Sequence, residues 1–217
     1  DNITYTIQNP KLTENATFED VSLFVDGGDT GNDNLAIGQW YQGGVIFYIF
    51  QSGDTGYVAG ETHGLIAAPY DSWTGIWPFN LYEHQWTSAG ENEDETWSFL
   101  GTSAGIGTGL QNTNAIIAAA GSSTWTAAYI TTLFFNGDTD WYLPSKDELN
   151  QMYLRRGAID ATAKANGCEA FVNHYISWYW SSTEHDSSGA YMQNFIDAAQ
   201  THVYKGDMAG VRPIRAF

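Results

Sequence analysis

Short apolar runs and short alternations of apolar and polar residues follow one another along most of this chain. Ile3-Thr4-Tyr5-Thr6-Ile7 alternates strictly and Val21 to Val25 in part, and both predict short strands. Asp26 to Asn34 is then a run of Asp, Gly, Asn and Thr, which is turn chemistry. Residues 1–36 are therefore expected to form an N-terminal arm or extension, and 37–217 the domain proper. Gly43-Gly44 leads into Val45-Ile46-Phe47-Tyr48-Ile49-Phe50, an apolar stretch of strand length and buried composition. Gly64-Leu65-Ile66-Ala67-Ala68 predicts a second strand, paired with the first across the Gly-rich stretch 51–60. Residues 69–109 hold Trp73, Trp77, Trp86 and Trp97 among Gly, Ser, Asn and acids, and read as a long loop region pinned by aromatics.

The period then changes. Ala, Ile and Leu recur at three- and four-residue spacing over 110–120 and again over 124–134, with Gly121 between them, which predicts two helices. Pro144-Ser145-Lys146-Asp147-Glu148 is a capping box, with Ser145 at the cap and Glu148 reaching back to it. That helix is expected to run through Leu149, Met152 and Tyr153 and to stop at Gly157, with a second helical piece over 158–165. From 175 onward the chain reads as antiparallel strands. Two β-prone ends, 178–184 and 211–217, flank a polar and aromatic middle. Stiff ends around a chemically mixed middle are what a displayed binding surface needs.

Composition narrows the classes of function. A formal charge of -17, with 8 Lys and Arg in 217 residues, argues against a nucleic-acid partner, which needs clustered cations, and against anionic membrane surfaces. No apolar run approaches the roughly 20 residues of a membrane-spanning helix, so membrane insertion is not expected. The 23 Gly and 9 Trp favour a loop-rich, β-rich fold, and a chain of this length buries roughly 70% of its unfolded surface without cross-links. Cys168 is the only cysteine, so neither an intrachain disulfide nor a site of several thiolates can form. His63, His84 and His174 are scattered, no HExxH or G-x-S-x-G pattern occurs, and no catalytic constellation can be named. The oxygen-rich stretch 26–34 lacks the alternating acids of a Ca²⁺ loop and reads as an acidic turn. The expectation is a protein that binds rather than catalyses, with no cofactor and no metal.

Six motifs occur in one order: Gly43 to Tyr48, Gly64 to Ala68, Gly107-Thr108-Gly109-Leu110-Gln111-Asn112-Thr113, Asp140 to Leu149, Tyr179 to Glu184, and Val211-Arg212-Pro213-Ile214-Arg215-Ala216-Phe217. The series resembles a C-type-lectin-fold family known chiefly as a domain of unknown function of bacterial, archaeal and phage surface proteins, and covers residues 38–217. Part of that family serves as the variable protein of diversity-generating retroelements, where reverse transcription that mutates template adenines rewrites a C-terminal patch. The resemblance implies an α+β, C-type-lectin-like fold with two main helices, small antiparallel sheets and many loops. It places a variable region over about 178–217 and implies recognition of a protein or glycan ligand on a cell surface, by a protein that is extracellular, cell-surface or virion-exposed. Ala199 departs from the pattern, standing where similar sequences often carry Gly. The fixed triplets with which carbohydrate-binding C-type lectins hold Ca²⁺ are missing, as is the thiol pair of the formylglycine-generating oxidases that share the broad fold.

The ligand-binding residues so implied are Trp178, His185, Asp186, Ser187, Ser188, Tyr191, Asn194, Ile196, Asp197, Thr201, His202, Tyr204 and Asp207. Tyr191 and Tyr204 are expected to anchor, because Tyr offers contact area with few torsions to freeze. An Asn codon altered only at its adenines reaches most of this set, but not Met192, Gln193, Gln200, Lys205 or Met208, which are expected to be fixed. The alternative is a fixed structural or carbohydrate-binding surface module, since an ordinary sheet with a polar solvent face alternates in the same way. Arg212 and Arg215 are expected to pair with buried carboxylates such as Glu148 or Glu184, locking the last strand against the capped helix.

Overall fold

The computed structural model describes residues 35–71, 83–87, 98–120, 126–132, 140–168, 171 and 177–217. The arm expected over 1–36 lies almost wholly outside these residues, as do Trp73, Trp77, Trp97 and His174. The described elements are β1 (Trp40–Tyr41), β2 (Gly44–Ile49), β3 (Gly64–Ala67), β4 (Glu83–Gln85), α1 (Gly109–Ala120), α2 (Ala127–Thr132), α3 (Lys146–Ala165), β5 (Trp178–Glu184), β6 (Gly189–Asn194), β7 (Gln200–Tyr204), β8 (Met208–Gly210) and β9 (Ile214–Ala216). They make a mixed α+β fold with two sheets, ordered β1-β2-β3-β9 and β4-β8-β5-β6-β7. Among the described strands every pairing is antiparallel except β5 with β8, which meet in parallel at Tyr179 and Gly210.

The unbroken apolar run of β2 has a simple cause: both of its faces are buried. Val45 and Phe47 pack with Leu65, Leu149, Met152 and Ile159 under α3, while Ile46 packs with Ile66, Ala68 and Trp141 on the other side. β2 pairs with β3 as its sequence predicts. The turn entering β2 uses Gln42 at φ 44° and Gly43 at φ 82°, two successive left-handed residues whose twist suits a two-residue hairpin. A third cluster, Trp86, Ile116, Leu143, Trp180, Ala190, Ala209 and Val211, lies between the second sheet and α1 and α2. Among the described residues no helix is long and apolar enough to cross a membrane.

Three expectations change. The capping box at Ser145 forms, with Ser145 N–H donating to Glu148 Oε2 (2.6 Å) and Glu148 N–H to Ser145 Oγ (3.3 Å). Yet Gly157 does not end the helix. Its buried positions continue past Gly157 to Ile159 and Ala163, so burial keeps the chain helical until Asn166-Gly167. There Gly167 takes φ +73°, its N–H bonds to Lys164 O, and Cys168 N–H bonds to Ala163 O, the paired bonds of a Schellman stop. Second, part of the region read as loop is strand: the polar Glu83-His84-Gln85 pairs with β8 across more than a hundred residues of sequence, a partner no local pattern announces.

Third, the C-terminal arginines are buried, but with other carboxylates than expected. Arg212 Nε lies 2.5 Å from Asp71 Oδ1 and its Nη1 donates to Ala68 O (3.0 Å), while Tyr179 Oη donates to Asp71 Oδ2 (2.8 Å). Arg215 donates to Gln42 O (3.1 Å) and Gln42 Oε1 (2.8 Å) and lies 3.4 Å from Asp140. Glu148 and Glu184 are already committed, the first to backbone N–H groups and the second to Lys205. The arginines therefore fasten β9 and its approach to the first sheet instead of to the capped helix.

Candidate functional site

The β5–β6–β7 meander carries most of the predicted binding residues, and its register sorts them by face. Tyr191 pairs with His202 and Gly189 with Tyr204, so Tyr191, His202 and Tyr204 share one face. Met192 pairs with Thr201 and Trp180, and Asn194 with Trp178, which puts those residues on the opposite face. There Trp178, Met192 and Val203 pack against the core cluster of the second sheet. Trp178 and Thr201 are thus not brought together with the exposed group.

On the exposed face, His185 from the β5–β6 turn lies flat on His202, ring centroids 3.6 Å apart and planes 3° apart. Tyr191 meets both rings edge-on, at 5.6 Å and 5.9 Å. Lys146, the first residue of α3, holds its ammonium 4.3 Å from the Tyr191 ring centroid, within cation–π range. Sequence reasoning missed Lys146, because its motif signalled only a helix start. It also set aside Gln200, although two-residue spacing from His202 and Tyr204 puts it on this face. Gln200 Nε2 donates to Lys146 O and to Gln193 Oε1, both at 3.2 Å, and so ties the strand to the helix start.

The turn residues are engaged with one another. Asp186 Oδ1 accepts from Ser188 N–H (2.7 Å), Ser188 Oγ (2.9 Å) and Gly189 N–H (2.8 Å), and its Oδ2 lies 2.9 Å from His185 Nδ1. These bonds, the Ser188 backbone first, hold the Asp186 carboxyl well below the usual carboxylate range. Asp186 and Ser188 shape the turn; Ser187 is exposed at its tip. At the far end of the hairpin, Asn194 Oδ1 accepts from Ile196 N–H and Asp197 Oδ1 from Ala199 N–H, leaving Ile196 67% exposed. That turn closes without a glycine, with Ala198 in the left-handed region at φ 71°. Six strand residues, roughly 20 Å, separate this group from His185. Asp207 is exposed in the turn after Tyr204.

Of the five residues expected to be fixed, Met192 and Lys205 turn away from the ring cluster, while Gln193, paired with Gln200, lies on the Tyr191 face but is covered there by α3. Gln193 is buried and bonds Asn150, Met192 packs on the core, and Lys205 is buried against Glu184; Gln200 and Met208 are exposed. Among the described residues, no group of three His, Cys, Asp or Glu side chains is placed to hold a metal ion.

The fold is shared with a fimbrial protein from Bacteroides ovatus, at a TM-score of 0.51 and 13% sequence identity, over 80% of this chain and 44% of that one. The chain thus spans less than half the length of the fimbrial protein it matches. No curated protein matches the sequence. The family model of the Lcl C-terminal domain matches residues 80–215, from the approach to β4 through β9. That is more than half of the chain, which belongs to the Lcl C-terminal domain family.

Proposed function

We propose that this chain is a recognition module of a surface or adhesion protein, in which a C-type-lectin-like scaffold displays the face built by His185, Tyr191, His202 and Tyr204. The observation that carries the reading is the division of labour within one hairpin. Its inward face is core, and its outward face is a group of aromatic and imidazole rings with little apolar bulk of its own. Rings with few torsions offer contact area at low entropic cost, and the polar atoms around them supply adaptable hydrogen bonds. The fold held in common with a fimbrial protein supports a place at a cell surface, where a protein or glycan would be the ligand. The chemistry is binding, not catalysis, and uses no cofactor.

Within this reading, residues 185–209 are the variable region of a diversity-generating retroelement, and the packed Met192, Gln193 and Lys205 are its fixed frame. Sequencing the coding locus across a natural population tests that part. Substitutions should crowd at adenine-templated codons between 185 and 209 and spare 180–183 and 212–217. A uniform locus would remove the retroelement and leave a fixed surface module. Binding itself is tested by applying the full chain to a glycan array and to immobilised microbial surface proteins, beside a Tyr191→Ser/His202→Ser variant. The wild type should be retained on a defined subset, and the variant about tenfold less, since interface anchors cost more than 1 kcal/mol each. Equal retention of the two proteins would rule out this face as the binding surface.

A further inference from the structure

Lys205 follows β7 and is 1% exposed, an unusual place for a lysine. Its ammonium lies 2.6 Å from Glu184 Oε1, and both charged groups are shut off from solvent. The other Glu184 oxygen accepts the backbone N–H groups of Leu100 (2.9 Å) and Thr102 (3.5 Å), and Glu184 N–H donates to Thr102 Oγ1 (2.7 Å). The ammonium also sits 4.7 Å from the Trp86 ring centroid. The main chain of the same residue bonds in two further directions: its N–H donates to Ser188 O (2.9 Å), and its carbonyl accepts from Trp86 N–H (3.0 Å). One residue therefore joins the end of β5, the β5–β6 turn, the segment 98–102 and the exit of β4. None of these bonds uses a side chain of the exposed ring cluster.

A buried ion pair contributes little net stability, because desolvating both charges offsets their attraction; its better-attested use is to fix geometry. An apolar residue at 205 would fill the same space but leave the buried Glu184 carboxyl without its cation while it holds Leu100 and Thr102. We propose that Lys205 is the positioning residue of the recognition hairpin: its ion pair with Glu184 sets where β6 and β7 sit against the segment 98–102, so that the exposed side chains can change without moving the backbone that carries them. The inference rests on the recognition reading, but its test needs no ligand, so failure of either leaves the other to be judged separately.

Amide hydrogen exchange on the full chain is the measurement. In Lys205→Met, exchange of the Trp86 and residue-205 amides should rise about tenfold or more, while β2 and β3 amides stay within about twofold, as expected of separate opening units. The double variant Glu184→Gln/Lys205→Met should return the hairpin to within about threefold of wild type, because the amide oxygen still accepts from Leu100 and Thr102 and no charge is left uncompensated. A His185→Ser/Tyr191→Ser/His202→Ser/Tyr204→Ser variant should also stay within about threefold. The proposal is overturned by an unchanged hairpin in Lys205→Met, by an equal rise in both sheets, by a double variant as loose as the single one, or by a ring-cluster variant as loose as Lys205→Met. If Lys205→Met is recovered only unfolded, a folded double variant with wild-type hairpin exchange supports the proposal and an unfolded one overturns it.

Discussion

Glu148 shows how much one side chain decides here. It is fully buried and, among the described residues, is paired with no cation; instead it accepts from Gly107 N–H (2.8 Å) and Ser145 N–H (2.6 Å). That arrangement explains the Gly107-Thr108-Gly109 motif. Gly107 is left-handed, at φ +81°, and a Cβ there would collide with Thr55 O; a Cβ on Gly109 would collide with the Glu148 carboxylate. Burial pushes the Glu148 carboxyl up from the ordinary 4.5 to about 7, against the pull of its N–H donors. Between those two values the folded chain holds a proton that the unfolded chain has released. Stability therefore falls as pH rises through that window, by on the order of 3 kcal/mol. Glu148→Gln cannot ionise and should lose this fall, so its thermal midpoint should gain on the wild type from about pH 5 to pH 7.5. His63 is raised by its bond to Glu61 and loses its own contribution as pH rises through its folded value, but it does so in both proteins and drops out of the difference. Parallel melting curves across the range would show that the buried charge is not felt.

At the scale of elements, α3 gives the cleanest test. Gly157 stands inside a continuous helix, and a Cβ there would meet nothing within 4 Å. Gly157→Ala should stabilise the protein by roughly 0.5–1 kcal/mol, or about 1–4 °C in thermal midpoint. A lowered midpoint would mean that the backbone at 157 needs the freedom of glycine. The same residue shows where the sequence was legible. A glycine reads locally as a stop, but the buried stripe through Ile159 and Ala163 overrules it, and only the packing reveals that stripe as one surface. The capping box, the twice-buried β2 and its pairing with β3 were readable, because each is written in a few adjacent residues. β4 was not, since three polar residues become a strand only when β8 arrives beside them. Likewise, polarity marked the hairpin but not its faces: the pairings that turn Trp178 and Thr201 away from His202 are a matter of register. Lys146 joins the ring cluster from another element, a neighbour that only the fold can supply.

At the scale of the molecule, the family match and the architecture divide the chain differently. Residues 80–215 omit β1, β2 and β3, which are three of the four strands of the first sheet. They also omit Asp71, the partner of Arg212, and Val45, Phe47 and Leu65, against which Leu149, Met152, Ile159 and Ile214 are buried. A chain cut at residue 80 would expose one side of α3 and of β9 and leave the Arg212 guanidinium, 0% exposed in the whole protein, without its carboxylate. Breaking a buried pair in this way costs about 3–5 kcal/mol, and deleting each large apolar side chain from the core costs about 2–5 more. Total stabilities of about 5–15 kcal/mol cannot absorb both. The fragment 80–217 is therefore expected to lack a cooperative melting transition and dispersed amide signals, where the full chain shows both. The face built by Tyr191 and His202 would go with them, because Tyr179, hydrogen-bonded to Asp71, lies in the strand next to the one that carries Tyr191. Cooperative unfolding of the fragment would mean that the second sheet and its helices form a domain alone, with β1 to β3 an addition to it.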